Sequence, residues 1–331
     1  KRANPDCLVG MNPGNKTKCC GWCAANFAKE KVRAFCRQYV REFFENYDLD
    51  GIEYDFFRHP QLFASVAHGG RASQEELDVM TELMLALKEI GDEVGRKRGR
   101  PFVFCARVPD SVAYCRAIGI DIEKWLEKKA IDFLIVGGYF QLQPWRRSAE
   151  LAHRYGMKCY VSLDESRIRG RQIPGRRSKE FFVARMAAAM AEGMDGVYIF
   201  NLEYQNHDFQ REVLNVEPTK TDFLDKLYYA TYTGGGGYMP RSFLVNGDSF
   251  FDITAVNPTY PVKLAKGATH RFTVPMGDDF AASGEKKAKV TVMALTDLKA
   301  DVAPMKSGRL GSYTPRADED LTVVFFGGSL T

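Results

Sequence analysis

The segment YDLDGIEYDFFRHP at 47–60 holds a dense set of ionisable groups at spacings that matter for chemistry. Side chains alternate along an extended strand, so Glu53, Asp55 and Phe57 share one face while Ile52, Tyr54 and Phe56 take the other. Two carboxylates on one face of a buried strand are costly unless that face lines a polar site. Paired carboxyl groups are the equipment of general acid–base chemistry, and of glycosidic bond cleavage in particular. A second pair, Asp164 and Glu165, closes the apolar run KCYVSLDE, and Glu203 closes a third run, DGVYIFNLE. Arg58 and Arg107 carry a rigid fork of donors that suits either a substrate clamp or the neutralisation of Glu53 and Asp55.

The elements that must position these groups alternate in type. Apolar and aromatic residues Val32, Phe35, Tyr39, Val40, Phe43 and Phe44 recur at helical spacing over 27–47, and IEYDFF follows as a strand. Helical stretches at 75–95, 121–129, 146–155 and 179–192 then precede strands at 101–108, 131–140, 158–165 and 195–203. Strands alternating with helices imply βαβ units and a parallel sheet. A closed (β/α)8 TIM-type barrel places the C-terminal ends of its strands at the active-site mouth. Counting GVYIFNLE as the eighth strand makes IEYDFF the fourth, so strands one to three are expected to be absent from this chain. An open doubly wound sheet of five strands is the alternative.

The strand-four segment DGIEYDFFRHP, preceded by KEKVRAFCRQYVREFFENYD, resembles the family-10-like glycosyl hydrolase proteins, whose fourth strand reads approximately DGIxxDFxR. The resemblance extends through ARVPDSVAYCRAIGIDIEKWLEKKAIDFLIVGGYF and KCYVSLDESR, about residues 20–205. It implies a TIM-barrel glycosidase, with catalytic carboxylates at the ends of strands four and seven. Asp55 with Glu165 is the favoured pair and Glu53 the further candidate. Alternation along strand seven leaves open whether Asp164 or Glu165 points inward. The family-18 chitinase pattern DGxDxDxE is near in appearance, but its catalytic acid would fall at Phe57, which rules against substrate-assisted chemistry.

Around these carboxylates, Arg58, His59, Arg107, Tyr139, Asp164, Arg167, Asn201 and Glu203 are the candidates for holding a sugar. Tyr139, Trp145 and Tyr204 follow strand ends and are candidates for stacking on sugar faces. The loop SRIRGRQIPGRRSKE at 166–180 concentrates Arg167, Arg169, Arg171, Arg176, Arg177 and Lys179. On the C-terminal face such a cluster favours an anionic glycan, sulfated or uronic; a solvated surface loop is the plainer alternative. The RKRGR run at 96–100 precedes a strand and is expected on the opposite, structural face.

Composition narrows the classes. A formal charge of +4 over 331 residues gives no global nucleic-acid footprint. No stretch approaches the roughly 20 apolar residues of a membrane span. No P-loop, GxGxxG or HExxH pattern is present, and GGGG at 234–237 follows a helical stretch, so no cofactor is expected. Of the eight cysteines, the CCGWC cluster at 19–23 lacks a second ligand pair for zinc, so no metal is expected either. Cys105, Cys115 and Cys159 fall in core elements as free thiols. The N-terminus shows no apolar signal segment; the setting expected for a polysaccharide hydrolase is nonetheless secreted or periplasmic.

The expectation is therefore a partial TIM-barrel catalytic domain over 1–232. Beyond TYTGGGGYMP the candidate strands FFDITAV, VKLAKGA, HRFTVPM, KAKVTVMAL and LTVVFFGG suggest a β-sandwich-like accessory domain over 233–331. The function expected is two-carboxylate hydrolysis of a polysaccharide. The alternatives are a non-catalytic carbohydrate-binding protein on a degenerate barrel and a non-glycosidic barrel enzyme acting on another anionic substrate.

Overall fold

In a computed structural model, residues 4–10, 24–57, 59–164, 178–200, 207–220, 225–228, 239–253 and 276–278 are described. They hold five strands, β1 Gly51–Asp55, β2 Val103–Val108, β3 Phe133–Val136, β4 Lys158–Asp164 and β5 Gly196–Phe200. Every neighbouring pair is parallel and the order in the sheet is the order in the chain. The sheet curls into a half-barrel, consistent with part of a TIM-type fold.

The helices are α1 Glu30–Asn46, α2 Ala64–Ala67, α3 Gln74–Arg98, α4 Val112–Ile118, α5 Ile122–Glu127, α6 Trp145–Arg154, α7 Lys179–Ala191 and α8 His207–Leu214. Capping chemistry sets their starts. Ser73 and Glu76 form a reciprocal capping box at α3, and Ser111, Asp121 and Ser178 each accept a first-turn N–H of α4, α5 and α7. Their inward faces meet the outer face of the sheet, where Phe104, Ala106, Val108, Leu134, Val136, Cys159, Val161 and Leu163 are buried. Phe44 of α1 packs on Phe102 and Phe104 at ring distances of 4.5 and 5.7 Å. Cys105, Cys115 and Cys159 are buried free thiols, as their positions suggested.

Aspartates just ahead of two strands fix the register at the end away from the site. Asp132 accepts the N–H of Phe104 at 2.7 Å and Asp195 that of Cys159 at 2.8 Å, so each entering strand clamps its neighbour. The Asp-Gly that opens β1 has a related logic. A Cβ on Gly51 would lie 2.0 Å from the Val103 carbonyl oxygen, so only glycine allows this approach. The basic run at 96–100 is structural too. Arg98 donates to the carbonyls of Phe44, Glu45 and Tyr47 at the end of α1, and Arg100 pairs with Asp48 and Asp50.

Asp195 gives a pH test of this clamp. Burial pushes its carboxyl up, but donors from Lys158, the Cys159 N–H and His153 outweigh that and bring it down to about 2. A folded-state value below the unfolded one of about 3.9 means the contribution is complete above that pH and lost as pH falls toward 2. We expect the gap in thermal stability between wild type and Asp195→Asn to be widest above pH 4 and to narrow between pH 4 and pH 2. A gap independent of pH would remove Asp195 from this role.

Three sequence expectations need correction. The helical stretch read ahead of GGGG, TDFLDKLYYA, is not helical at 226–228; an unanticipated helix, α8, lies earlier. α4 was not anticipated, because seven residues are too few to establish a period. The strand FFDITAV also fails at its start, since Phe250 closes the 3-10 turn Gly247–Phe250 and 251–253 are not a strand. Residues 239–253 instead pack on helices α4 and α6 of the half-barrel: the Tyr114 hydroxyl donates to the Pro240 carbonyl at 3.0 Å, and Asp252 pairs with Arg147. Asp278 takes both the Lys226 ammonium and the Tyr228 hydroxyl at 2.6 Å, beside α7. The other candidate strands of 233–331 lie outside the described residues, save Met276 at the end of one.

Candidate active site

The inner face of the sheet carries a different chemistry from the outer. Glu53 and Asp55 on β1, Arg107 on β2, Ser162 on β4, and Tyr198 and Phe200 on β5 converge there. Arg107 is the centre. Its side chain is fully buried, its Nη2 donates to Asp55 Oδ2 at 2.6 Å, and its Nε lies 3.9 Å from Glu53 Oε1. The Asp55↔Arg107 register pair makes this contact a direct consequence of strand alignment. The guanidinium sits 3.9 Å from the ring centroid of Phe200, a cation–π contact, with Phe57 and Tyr198 at 5.8 and 5.9 Å.

The second oxygen of Asp55 is also engaged. Oδ1 accepts the N–H of Phe57 at 2.9 Å, an Asx turn that ends the strand. Glu53 lies deeper. Burial pushes its carboxyl above the ordinary range; a hydrogen bond from Tyr198 and the charge of Arg107 pull against that, and Asp55 adds to it. Tyr198 itself is pushed up to about 12, by burial first and then by Glu53, so it remains a donor across the working range.

Among the described residues, several buried polar atoms here have no hydrogen-bond partner: Nε and Nη1 of Arg107 and Oγ of Ser162. Each such group costs about 1–3 kcal/mol in a dry core. Their gathering on one face marks it as a polar site rather than as core.

The loop after β3 closes the site from behind. Gly138 passes so close that a Cβ there would lie 3.1 Å from Arg107 Nη1 and from the Phe57 ring. The loop is held by Asp110, a fully buried carboxylate just past the end of β2. The N–H of Leu142 donates to both its oxygens at 3.0 Å and that of Gln143 to one at 3.2 Å. Burial pushes Asp110 up to about 7 against these donors.

Asp55, Glu53 and Arg107 come together, with Arg107 as the partner of the carboxylates. Tyr139 is near them but fully buried, its ring 5.6 Å from Phe57 and 5.8 Å from Phe200, so it supports the site instead of offering a sugar platform. Trp145 is likewise buried, at the start of α6. His59 lies beyond β1, its ring 6.4 Å from Phe243. Asp164 ends β4 opposite Phe200, at the backbone position that alternation shares with Tyr160 and Ser162. Arg58, Glu165, Arg167, Asn201 and Glu203 lie outside the described residues, as do the arginines at 169–177 and Tyr204. Tyr198, Phe200, Ser162 and Asp110 were missed. The signal for Tyr198 was available, since alternate residues of GVYIFNLE must share one face.

Comparison with known proteins adds little. No family model matches the chain and no curated protein matches it in sequence. Among solved structures it is similar to a glycoside hydrolase family 18 N-acetylglucosaminidase from Paenibacillus barengoltzii, at 18% identity over 42% of this chain and 46% of that one, with a TM-score of 0.32. Chitinase ChiA74 from Bacillus thuringiensis gives 14% identity over 42% and 25%, with a TM-score of 0.31. Pyruvate carboxylase from Rhizobium etli gives 10% over 51% and 19%, with a TM-score of 0.27. The chain spans less than half the length of each, none is a family-10-like protein, and scores this low carry no argument about function.

Proposed function

We propose that this chain is a glycoside hydrolase in which Glu53 and Asp55 act as the two carboxylates. The observation that carries this reading is the Glu53–Arg107–Asp55 cluster on the inner face of a parallel α/β half-barrel, toward the C-terminal ends of its strands. Burial keeps Glu53 able to hold a proton at higher pH than an ordinary carboxyl, the property of a general acid. Asp55, more exposed and next to Arg107, serves as the base. Glu53 gives its proton to the glycosidic oxygen, and the bond from that oxygen to the anomeric carbon breaks with its electrons going to oxygen. Water bonds to the anomeric carbon and its proton passes to Asp55. Glu165 is the opposing carboxylate should strand seven supply one.

A glycan panel tests this with the full chain: neutral, uronic and sulfated polysaccharides, followed by reducing-end release. We expect hydrolysis of at least one, with anionic chains preferred. If the arginines at 167–177 take part, binding weakens with salt, since exposed charges are screened over about 8–10 Å. No release from any of them overturns the reading.

The second reading is glycan binding without turnover. It is favoured by the engagement of both Asp55 oxygens, each already accepting one hydrogen bond, and by the complete burial of Arg107. Saturable binding with no release selects it.

A further inference from the structure

Asp55 is held by two donors, Nη2 of Arg107 at 2.6 Å and the N–H of Phe57 at 2.9 Å. One loop, residues 137–144 between β3 and α6, backs both of them. At Gly138 it passes so close that a Cβ would lie 3.1 Å from Arg107 Nη1 and from the Phe57 ring. The rings of Tyr139 and Phe140 then pack on Phe57 at 5.6 and 4.9 Å. Behind this wall the guanidinium is fully buried, its Nε and Nη1 shut away from water. An arginine screened in this way directs its charge at the carboxylates beside it instead of at solvent.

The loop is neither helix nor strand up to Trp145, and Gly137 and Gly138 open it at φ of 82° and 153°. Backbone ties hold it at two points: the Gly137 N–H donates to the Val108 carbonyl at 3.0 Å, and the Asp252 N–H to the Leu142 carbonyl at 2.6 Å. The N–H groups of Leu142 and Gln143 turn inward instead. Asp110, only 1% exposed, takes both in three hydrogen bonds of 3.0–3.2 Å. An apolar residue at 110 would leave two buried donors unpaired. The Asp110 backbone is itself tied to α6, since its carbonyl accepts the Ser148 hydroxyl at 3.3 Å. We propose that Asp110 is a positioning residue: by pinning Leu142 and Gln143 it holds Gly138, Tyr139 and Phe140 on Arg107 and Phe57, and so fixes the Asp55 carboxylate. Its effect on turnover rests on the reading of Asp55 as the base; its effect on Arg107 does not.

Native-state hydrogen exchange of the full chain, read by 15N NMR, tests the pin. In wild type the amides of Leu142 and Gln143 and the Nε–H of Arg107, assigned by its absence from Arg107→Met, should open together with equal protection factors. Asp110→Ala should lower all three by about 10–10²-fold, the loss of hydrogen bonds to a charged acceptor. Asp110→Asn keeps one acceptor and should lower them less. Gly138→Ala disturbs the same wall without touching Asp110, so it should speed Arg107 exchange and add little to Asp110→Ala. On whichever glycan the wild type cleaves, kcat should fall by about 10²-fold in Asp110→Ala with KM little changed, and recover in part in Asp110→Asn. Arg107 protection that differs from that of the two amides in wild type, or is unchanged in a folded Asp110→Ala, overturns the proposal. So does full additivity with Gly138→Ala, or unchanged turnover beside faster Arg107 exchange. Faster exchange with no hydrolysis by wild type sustains the pin on Arg107 and defeats the glycosidase reading. If the Asp110 variants do not fold, the wild-type protection factors decide.

Discussion

Replacing Asp55 with asparagine should lower glycan hydrolysis by about 10²–10⁴-fold while leaving glycan binding largely intact. Asparagine keeps the shape and still offers an oxygen, either to the Phe57 N–H or to Arg107. What it loses is the charge and the capacity to take a proton from water. The measurement is kcat alongside equilibrium binding of the same oligosaccharide. Near wild-type turnover would move the base elsewhere, with Asp164 or Glu165 next in line. Loss of folding would make Asp55 a structural counter-ion and lend weight to the binding-only reading.

Arg107→Met should destabilise the fold by about 3 kcal/mol, the low end of the 3–5 kcal/mol seen when one partner of a buried ion pair is removed. The low end applies because Asp55 is 36% exposed at its side chain and partly compensated by water. For a unit of this size that lowers Tm by roughly 6–12 °C. Methionine matches the length of the arginine stem and can still pack on Phe200, so the loss is electrostatic. Adding Glu53→Gln and Asp55→Asn to Arg107→Met should recover much of the loss, since no charge is then left without its partner. A triple variant no more stable than Arg107→Met would show that the guanidinium matters through packing alone.

The strands were legible because each pairs a period-two or apolar run with a helical stretch before it. Glu53, Asp55 and Arg107 could all be named from sequence, while the register that sets Asp55 against Arg107 could not. The rest depended on information that periodicity does not hold. Tyr198 stands in an apolar run that reads as core, and only the alternation of GVYIFNLE puts it on the inner face. Arg107 looked equally suited to substrate or to carboxylates, and only its complete burial decided that. Tyr139 carries the aromatic ring expected of a sugar platform, but the tight passage at Gly138 turns it inward onto Phe57 and Phe200. The 3-10 turns at 239–253 are too short and aperiodic to be told from a strand beginning at Phe250.

The order of the strands also bears on how the molecule assembles. Each strand pairs with the one before it in the chain, so the sheet can grow by short loop closures, one βα unit at a time, with little entropic penalty at each step. The chain of contacts from Asp55 through Arg107 to Phe200 is of another kind, because it joins the first described strand to the last. It can form only after all five strands have docked and the sheet has bent. The hydrogen-bonded backbone should therefore gain protection from solvent exchange early in refolding, and the charged cluster should be completed in the final step. A chain halted before β5 would hold Glu53, Arg107 and Asp55 in register and still lack the finished site.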